Sequence, residues 1–352
     1  MTKIMKGIVS SAVVASALFF TGCGDNKGDS QEAKASADNG KKTYVLKFSH
    51  VVSANTPKGK AADYFEKRLE ELSNGQIDVQ VYPSSQLYKD NAVLKALKLD
   101  SVQMAAPSFS KFGKIVPQLA LFDLPFLFKD IDHLHRVQDG EVGKELKDMV
   151  TAKGYKALSF WDNNFKQFSS SKQPILTPED AAGQKFRIMS SKVLEEQFKA
   201  VGANPQMMPF SEVYSALQQG VIDAAENPIS NIYTKKFHEV QKYLTISNHG
   251  YLGYLVVMSE KFWNSLTPEL QKDVEQAMNE ATQKEREYAD QLNKEQFDLI
   301  KQYAKETGKL EIFTLNDEQR KAWKEATSKI YPDFYDKDVI GKDLIEKTLA
   351  TE

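Results

Sequence analysis

From Tyr44 onward the chain switches between two hydrophobic periods, and the switching predicts an ordered series of strands and helices. Tyr44-Val45-Leu46-Lys47-Phe48 and Ile77-Asp78-Val79-Gln80-Val81-Tyr82 read as strands, the second stopped by Pro83-Ser84-Ser85. Between them Thr56-Pro57 opens a helix that runs to Leu72 and is closed by Asn74-Gly75. A helix over 90–99 leads into a buried-looking strand over 102–106, ended by Pro107-Ser108. This β-α-β-α-β order implies parallel strands with helical crossovers. Ligands of such sheets gather beyond the carboxyl ends of the strands, which here means around His50, Lys58 and Ser108.

The next stretch, Phe122-Asp123-Leu124-Pro125-Phe126-Leu127-Phe128, is aromatic for a loop and reads as a buried crossover rather than a ligand cage. One helix over 130–151 and a strand over 155–161 follow, then Asp162-Asn163-Asn164, a hinge-like break before a strand over 165–168. Thr177-Pro178-Glu179-Asp180 opens a short helix before the strand Lys185-Phe186-Arg187-Ile188-Met189. A helix over 191–201, a strand over 206–209 and a helix over 211–219 rebuild an α/β unit. After Asn227-Pro228 come a short helix and strands over 243–246 and 254–258. Thr267-Pro268-Glu269 caps a helical pattern that continues to about residue 306, roughly 40 residues or about 60 Å. Such a helix exceeds the width of one lobe and is expected to run across two. A last helix covers 317–330.

The first 42 residues lack this patterning. Lys3 and Lys6 precede a short apolar run ending at Phe19-Phe20-Thr21-Gly22-Cys23, a secretory signal over 1–22 too short to span a membrane as a helix. Cys23, the only cysteine, stands where a lipoprotein signal places its acylated residue, although Phe20 occupies a position where leucine is usual. Residues 23–42 are small and polar and read as a flexible tether. With one cysteine the exported chain holds no internal disulfide.

Charge narrows the function. Of 46 basic and 48 acidic residues, removal of 1–22 takes two lysines, leaving 44 against 48, or about −4. That balance, with no long basic block, argues against nucleic acid and against a membrane-surface stripe. Enzyme motifs fail in turn. There is no G-x-S-x-G elbow and no G-x-G-x-x-G after a strand, and His238-Glu239-Val240-Gln241-Lys242 lacks the second histidine of a zinc-protease helix. His133-Leu134-His135 has no third ligand, and Asp223 and Glu226 have no activated partner. Neither a metal nor a cofactor is expected.

Arg187 is the informative residue. Lysine supplies nearly all the positive charge, yet one of the few arginines sits on a half-buried strand. A solvated or salt-bridged strand arginine is the plain reading. The alternative is a rigid fork of donors suited to a carboxylate held by two parallel bonds.

Several segments together tip that balance. They are Ser49-His50-Val51-Val52 with Thr56-Pro57-Lys58-Gly59, Tyr82-Pro83-Ser84-Ser85-Gln86-Leu87, Ala106-Pro107-Ser108, the Asp123–Phe128 run, and Trp161-Asp162-Asn163-Asn164-Phe165-Lys166-Gln167. Gly183-Gln184-Lys185-Phe186-Arg187, Phe210-Ser211-Glu212-Val213-Tyr214 and Leu217-Gln218-Gln219-Gly220-Val221-Ile222-Asp223-Ala224-Ala225-Glu226-Asn227-Pro228 add the strongest matches. From Thr43 to about Met258 the chain resembles the extracytoplasmic solute-binding proteins of TRAP transporters, the DctP type. The resemblance implies an α/β, two-lobed periplasmic-binding-protein fold with hinge strands and one long helix spanning both lobes. It divides the chain into 43–164 plus 253–292 and 165–252 plus 293–352. It also implies that Arg187 forks a ligand carboxylate, that Asn227 bonds the same group, and that Phe210 packs on the ligand. Lys166 stands where many members carry a second arginine, which favours the C4-dicarboxylate branch.

A dicarboxylate needs a second cation, because an unpaired buried charge costs several kcal/mol. Lys166 and Lys58 are the candidates, with Ser108, His50, His249 and Tyr251 as further wall residues. The expected partners are a small organic dianion (malate, succinate or fumarate) and the membrane permease of a TRAP transporter. The membrane itself is expected to be met only through a lipid on Cys23. Other organic acids (2-oxo, aromatic or sugar acids), a ligand-sensing ectodomain and an exported hydrolase remain as alternatives.

Overall fold

The computed structural model describes residues 43–352. The expected signal peptide, the tether and Cys23 lie outside the described residues.

Two sheets form the frame. Strands β1 (Tyr44–Ser49), β2 (Ile77–Tyr82), β3 (Met104–Ala105) and β4 (Tyr155–Phe165) belong to the first. Strands β5 (Gln167–Ser170), β6 (Lys185–Ile188), β7 (Asn204–Met207), β8 (Ala224–Asn227) and β9 (Tyr243–Ile246) belong to the second. β10 (Tyr251–Ser259) returns to the first, and β11 (Glu311–Thr314) closes the second. The orders are β2-β1-β3-β10-β4 and β11-β9-β5-β8-β6-β7. As the alternation predicts, β1 runs parallel to β2 and β3, with Tyr44 opposite Ile77. β10 is antiparallel to β3 and β4, and β5 to β8 and β9.

The chain passes between the lobes through β4 into β5, through the turn from β9 into β10, and along the helix Pro268–Thr307. That helix has Thr267 as its N-cap, proline in the first turn, and Gly308 in the left-handed conformation at its end. Leu270, Val274, Ala277, Met278 and Ala281 keep the three-four spacing of an apolar stripe. At mid-length the stripe turns polar, with Thr282, Glu285, Asn293 and Gln296 buried. The reason lies in β4. Its ladder with β10 pairs Asp162 with Gly253 and Asn164 with Leu252, which leaves Asn163 bulged out. The backbone groups freed there go to the helix: Asp162 N–H donates to Glu285 (2.7 Å), and Asn293 donates to the Asn163 carbonyl (3.1 Å).

Four expectations differ from what is observed. The break between the crossing strands falls at Lys166, because β4 continues through Asp162-Asn163-Asn164 and absorbs that triplet as the bulge. The helix over 130–151 is two, Ile131–Asp139 and Glu141–Thr151, split at an extended Gly140. The second packs so closely on the first that a Cβ at Gly143 would lie 1.8 Å from the Gln138 carbonyl oxygen. The strand over 102–106 shrinks to two residues.

The C-terminal segment also departs from the expected division. Trp323 docks on the second lobe, 4.6 Å from Phe168, and donates to the Leu176 carbonyl. Residues 328–334 pack on the Lys192–Ala200 helix of the second lobe, and the chain then reaches the first, where the helix Lys342–Ala350 sits on Glu141–Thr151 and Leu344 and Ile345 join the core. Apolar spacing finds such a helix but not the lobe that it covers. The 122–128 run is the buried crossover expected, with Phe122 stacked between Phe109 and Phe128.

Candidate functional site

The carboxyl ends of the parallel strands of both sheets meet in one cleft. The first lobe contributes Val51 and Val52 after β1, Ser108 and Lys111 after β3, Asp90 from a helix start, and Leu252 and Tyr254 from β10. The second contributes Arg187 and Met189 from β6 and beyond, Phe210, Asn227 at the end of β8, and Asn231. The cavity measures about 340 Å³ counting the space on its open side. Three contacts cross it: Lys89 to Glu212 (2.9 Å) at the rim, Lys111 to Ser190 (3.4 Å), and Ser110 to the Met189 sulfur (3.7 Å).

Arg187 is buried on β6, and its side chain is fixed by the strand next door. Nε and Nη2 both donate to the carbonyl of Met208, just past β7, at 3.1 and 2.8 Å. One edge of the guanidinium is thereby occupied. The end formed by Nη1 and Nη2 makes no other hydrogen bond among the described residues, and no carboxylate pairs with the guanidinium. Burial lowers its pKa to about 10, so the charge persists at neutral pH, and the Phe210 ring lies 6.0 Å from it. Asn227 accepts from Asn231 (3.1 Å), while its own Nδ2 is buried without a partner. An unmet buried donor costs about 1–3 kcal/mol, which an acceptor entering the cavity would relieve. A forked cation and an orphan amide donor aimed into one cavity are the chemistry of a carboxylate site.

Ser108 lies on the opposite wall, its hydroxyl 3.1 Å from that of Ser110. The remaining candidates are placed otherwise. Lys166 does not line the cavity. Its ammonium is 2.6 Å from Glu226, both side chains fully enclosed. The other Glu226 oxygen takes 2.8 Å from His249 Nε2, whose Nδ1 meets the Ser247 hydroxyl at 2.7 Å. His249 stacks on Phe168 at 3.8 Å, and burial lowers its pKa to about 4. A neutral ring with its proton on Nε2 satisfies both bonds. Burial pushes the Glu226 pKa up, but Lys166 and His249 outweigh it and hold the value at about 2. The lysine expected as a ligand cation is therefore already neutralised by the residue next to Asn227.

Lys58 backs the cavity wall rather than lining it. It donates to the Ala106 carbonyl (2.9 Å), lies 3.5 Å from the centre of the Tyr254 ring, and has a pKa lowered by burial to about 8. His50 is buried behind the same wall, its pKa lowered to about 3 by burial and by Lys58. Tyr251 belongs to the first-lobe core, where it donates to Asp162 and accepts from Gln138 (3.2 Å).

Lys111, Asp90, Tyr254 and Asn231 line the cavity and were not anticipated. The strand-end rule locates the loop of Lys111 through Ser108, but in a lysine-rich sequence that lysine resembles any solvated one. Among the described residues no helix is long and apolar enough to cross a membrane, and no cluster of His, Cys, Asp and Glu could hold a metal ion.

The family model for bacterial extracellular solute-binding proteins, family 7 (DctP), matches residues 48–338. The chain is 48% identical over 307 residues to the C4-dicarboxylate-binding periplasmic protein DctP of Rhodobacter capsulatus, covering 87% of this chain and 90% of that one. Among solved structures, a TRAP periplasmic solute-binding protein of Sulfurospirillum deleyianum with bound succinate is 60% identical, with a TM-score of 0.86 over 88% of this chain and 100% of that one. A second, from Shewanella oneidensis and also with bound succinate, is 42% identical at a TM-score of 0.84, covering 88% and 99%. The match runs through both sheets and the cleft between them, and the chain belongs to family 7 of the bacterial extracellular solute-binding proteins, the DctP type of TRAP transporters.

Proposed function

We propose that this chain captures a C4-dicarboxylate in the cleft and delivers it to the membrane subunits of a TRAP transporter. The observation that carries the reading is the convergence of the free Arg187 fork and the orphan Asn227 amide on one cavity. Likeness to two succinate-bound proteins supplies the ligand class. One carboxylate enters the fork of Arg187 and accepts from Asn227. Phe210 covers the ligand, and Ser108 presents a hydroxyl from the other lobe. Lys58, His50, His249, Tyr251 and Lys166 shape or brace the walls instead of touching the ligand. Binding and release complete the cycle without covalent chemistry, so mass analysis after incubation returns the acid unchanged. Outside the described residues, Cys23 is the proposed lipid anchor. Mass spectrometry of the mature N-terminus tests it, and Cys23→Ala is expected to release the chain from membranes.

Calorimetric titration with succinate, malate and fumarate tests the core of the proposal, with sugar acids and monocarboxylates for comparison. Wild type is expected to bind a C4-dicarboxylate, Arg187→Ala to lose measurable binding, and Arg187→Lys to weaken it by about 30-fold or more, since the fork is lost. Wild-type affinity in either variant would overturn the assignment.

A further inference from the structure

With Lys166 committed to Glu226, the second charge of a dianion must be met by another group. We propose that Lys111 takes the distal carboxylate, so that the ligand bridges the cleft with one carboxylate on each lobe and Lys111 sets the preference for dianions. This rests on the carboxylate-capture reading above.

Lys111 stands on the short helix Phe109–Phe112 of the first lobe, whereas Arg187 belongs to the second, and both line the same cavity. Its ammonium touches only the Ser190 hydroxyl at 3.4 Å and has no carboxylate partner among the described residues. Burial lowers its pKa against the upward pull of Asp90, and the like charge of Arg187 across the same space adds a smaller lowering. Asp90 also lines that space and offsets one positive charge. Lys58, buried against a carbonyl and the Tyr254 ring, supplies a third cation behind the wall. The two cations that line the cavity, Arg187 and Lys111, stand one on each wall with no carboxylate in contact among the described residues, so each can take one carboxylate of a C4-dicarboxylate. A monoanion would leave one of them uncompensated when the cleft closes.

The test compares succinate with succinamate, which has the same shape but carries a neutral amide in place of one carboxylate. Wild type is expected to prefer succinate. In Lys111→Gln, succinate should weaken by about 30-fold or more while succinamate changes by less than about threefold, so the preference collapses. Lys111→Arg, which keeps the charge, should retain most of it. The thermal midpoint of unliganded Lys111→Gln should match wild type, because the side chain makes one long hydrogen bond. A Lys111→Gln chain that keeps its preference, or that loses both ligands equally, overturns the role of Lys111 and leaves the Arg187 reading intact. Failure of wild type to bind any C4-dicarboxylate overturns both.

Discussion

Replacing Lys166 by methionine separates bracing from ligand binding. The change leaves Glu226 enclosed, with His249 as its remaining partner at 2.8 Å. Breaking a buried ion pair from one side typically costs about 3–5 kcal/mol, because the other charge stays behind. The depressed carboxylate pKa, to which His249 also contributes, points to the same order of magnitude. Glu226 titrates at about 2 in the folded chain against an ordinary 4.5, roughly 3 kcal/mol of stability. The sign follows from a depressed acid pKa. The contribution is complete above pH 4.5 and is lost as pH falls toward 2. Lys166→Met should therefore lower the unliganded midpoint at pH 7 by about 5–8 °C for a chain of this size. Glu226→Gln should cost a similar amount by stranding the ammonium. The double variant Lys166→Met/Glu226→Gln should recover most of the loss, giving a coupling of about 2–3 kcal/mol in urea unfolding. A Lys166→Met chain with unchanged unliganded stability and no ligand binding would refute this reasoning, since it would place Lys166 on the ligand.

Two further outcomes follow from the same buried chemistry. Asp123, enclosed near Lys166 and Ser191, has its pKa raised by burial from 3.8 to about 6. A raised acid pKa means that stability falls as pH climbs between about 4 and 6 and then levels. Asp123→Asn should accordingly gain about 2–3 kcal/mol at pH 8 and almost nothing at pH 4, as read by urea titration at both values. Gly143→Ala should lose at least about 2 kcal/mol in the same assay, because the added carbon meets a backbone oxygen at 1.8 Å that cannot step aside.

Much of the frame is legible in the sequence because its signals are local. The alternation of 77–82, the Thr56-Pro57 opening and the Pro268–Thr307 helix each declare themselves within a few turns. Arg187 is legible for a different reason: a rigid fork on a strand is conspicuous where lysine does the ordinary work of solubility. What the local signals leave open is non-local. Lys166 pairs with Glu226, 60 residues away, and Lys111 meets Ser190 of the lobe facing it across the cleft. Nothing near either lysine in the chain tells which partner it meets. The Asp162-Asn163-Asn164 triplet shows the same limit. It reads as a break, but the distant Glu285 and Asn293 receive the backbone groups of its bulge and let the strand continue.

The return of the last residues to the first lobe bears on the order in which the molecule can be made. The core of that lobe joins Leu134, Leu146 and Phe160 to Leu344 and Ile345, partners on the order of 200 positions apart. A chain emerging amino end first has both strands of the β1–β2 pair long before the groups that cover this core exist. Contacts of such separation are slow to form, and the surface awaiting them stays exposed meanwhile. The second lobe has β5 to β9 within one continuous stretch and lacks the end of the long helix with Ile300, Leu310, β11 and Trp323. It can therefore assemble first, while the lobe that begins the chain is the last to be finished. A chain cut after Thr327 would keep every strand of both sheets and still leave the first-lobe core open.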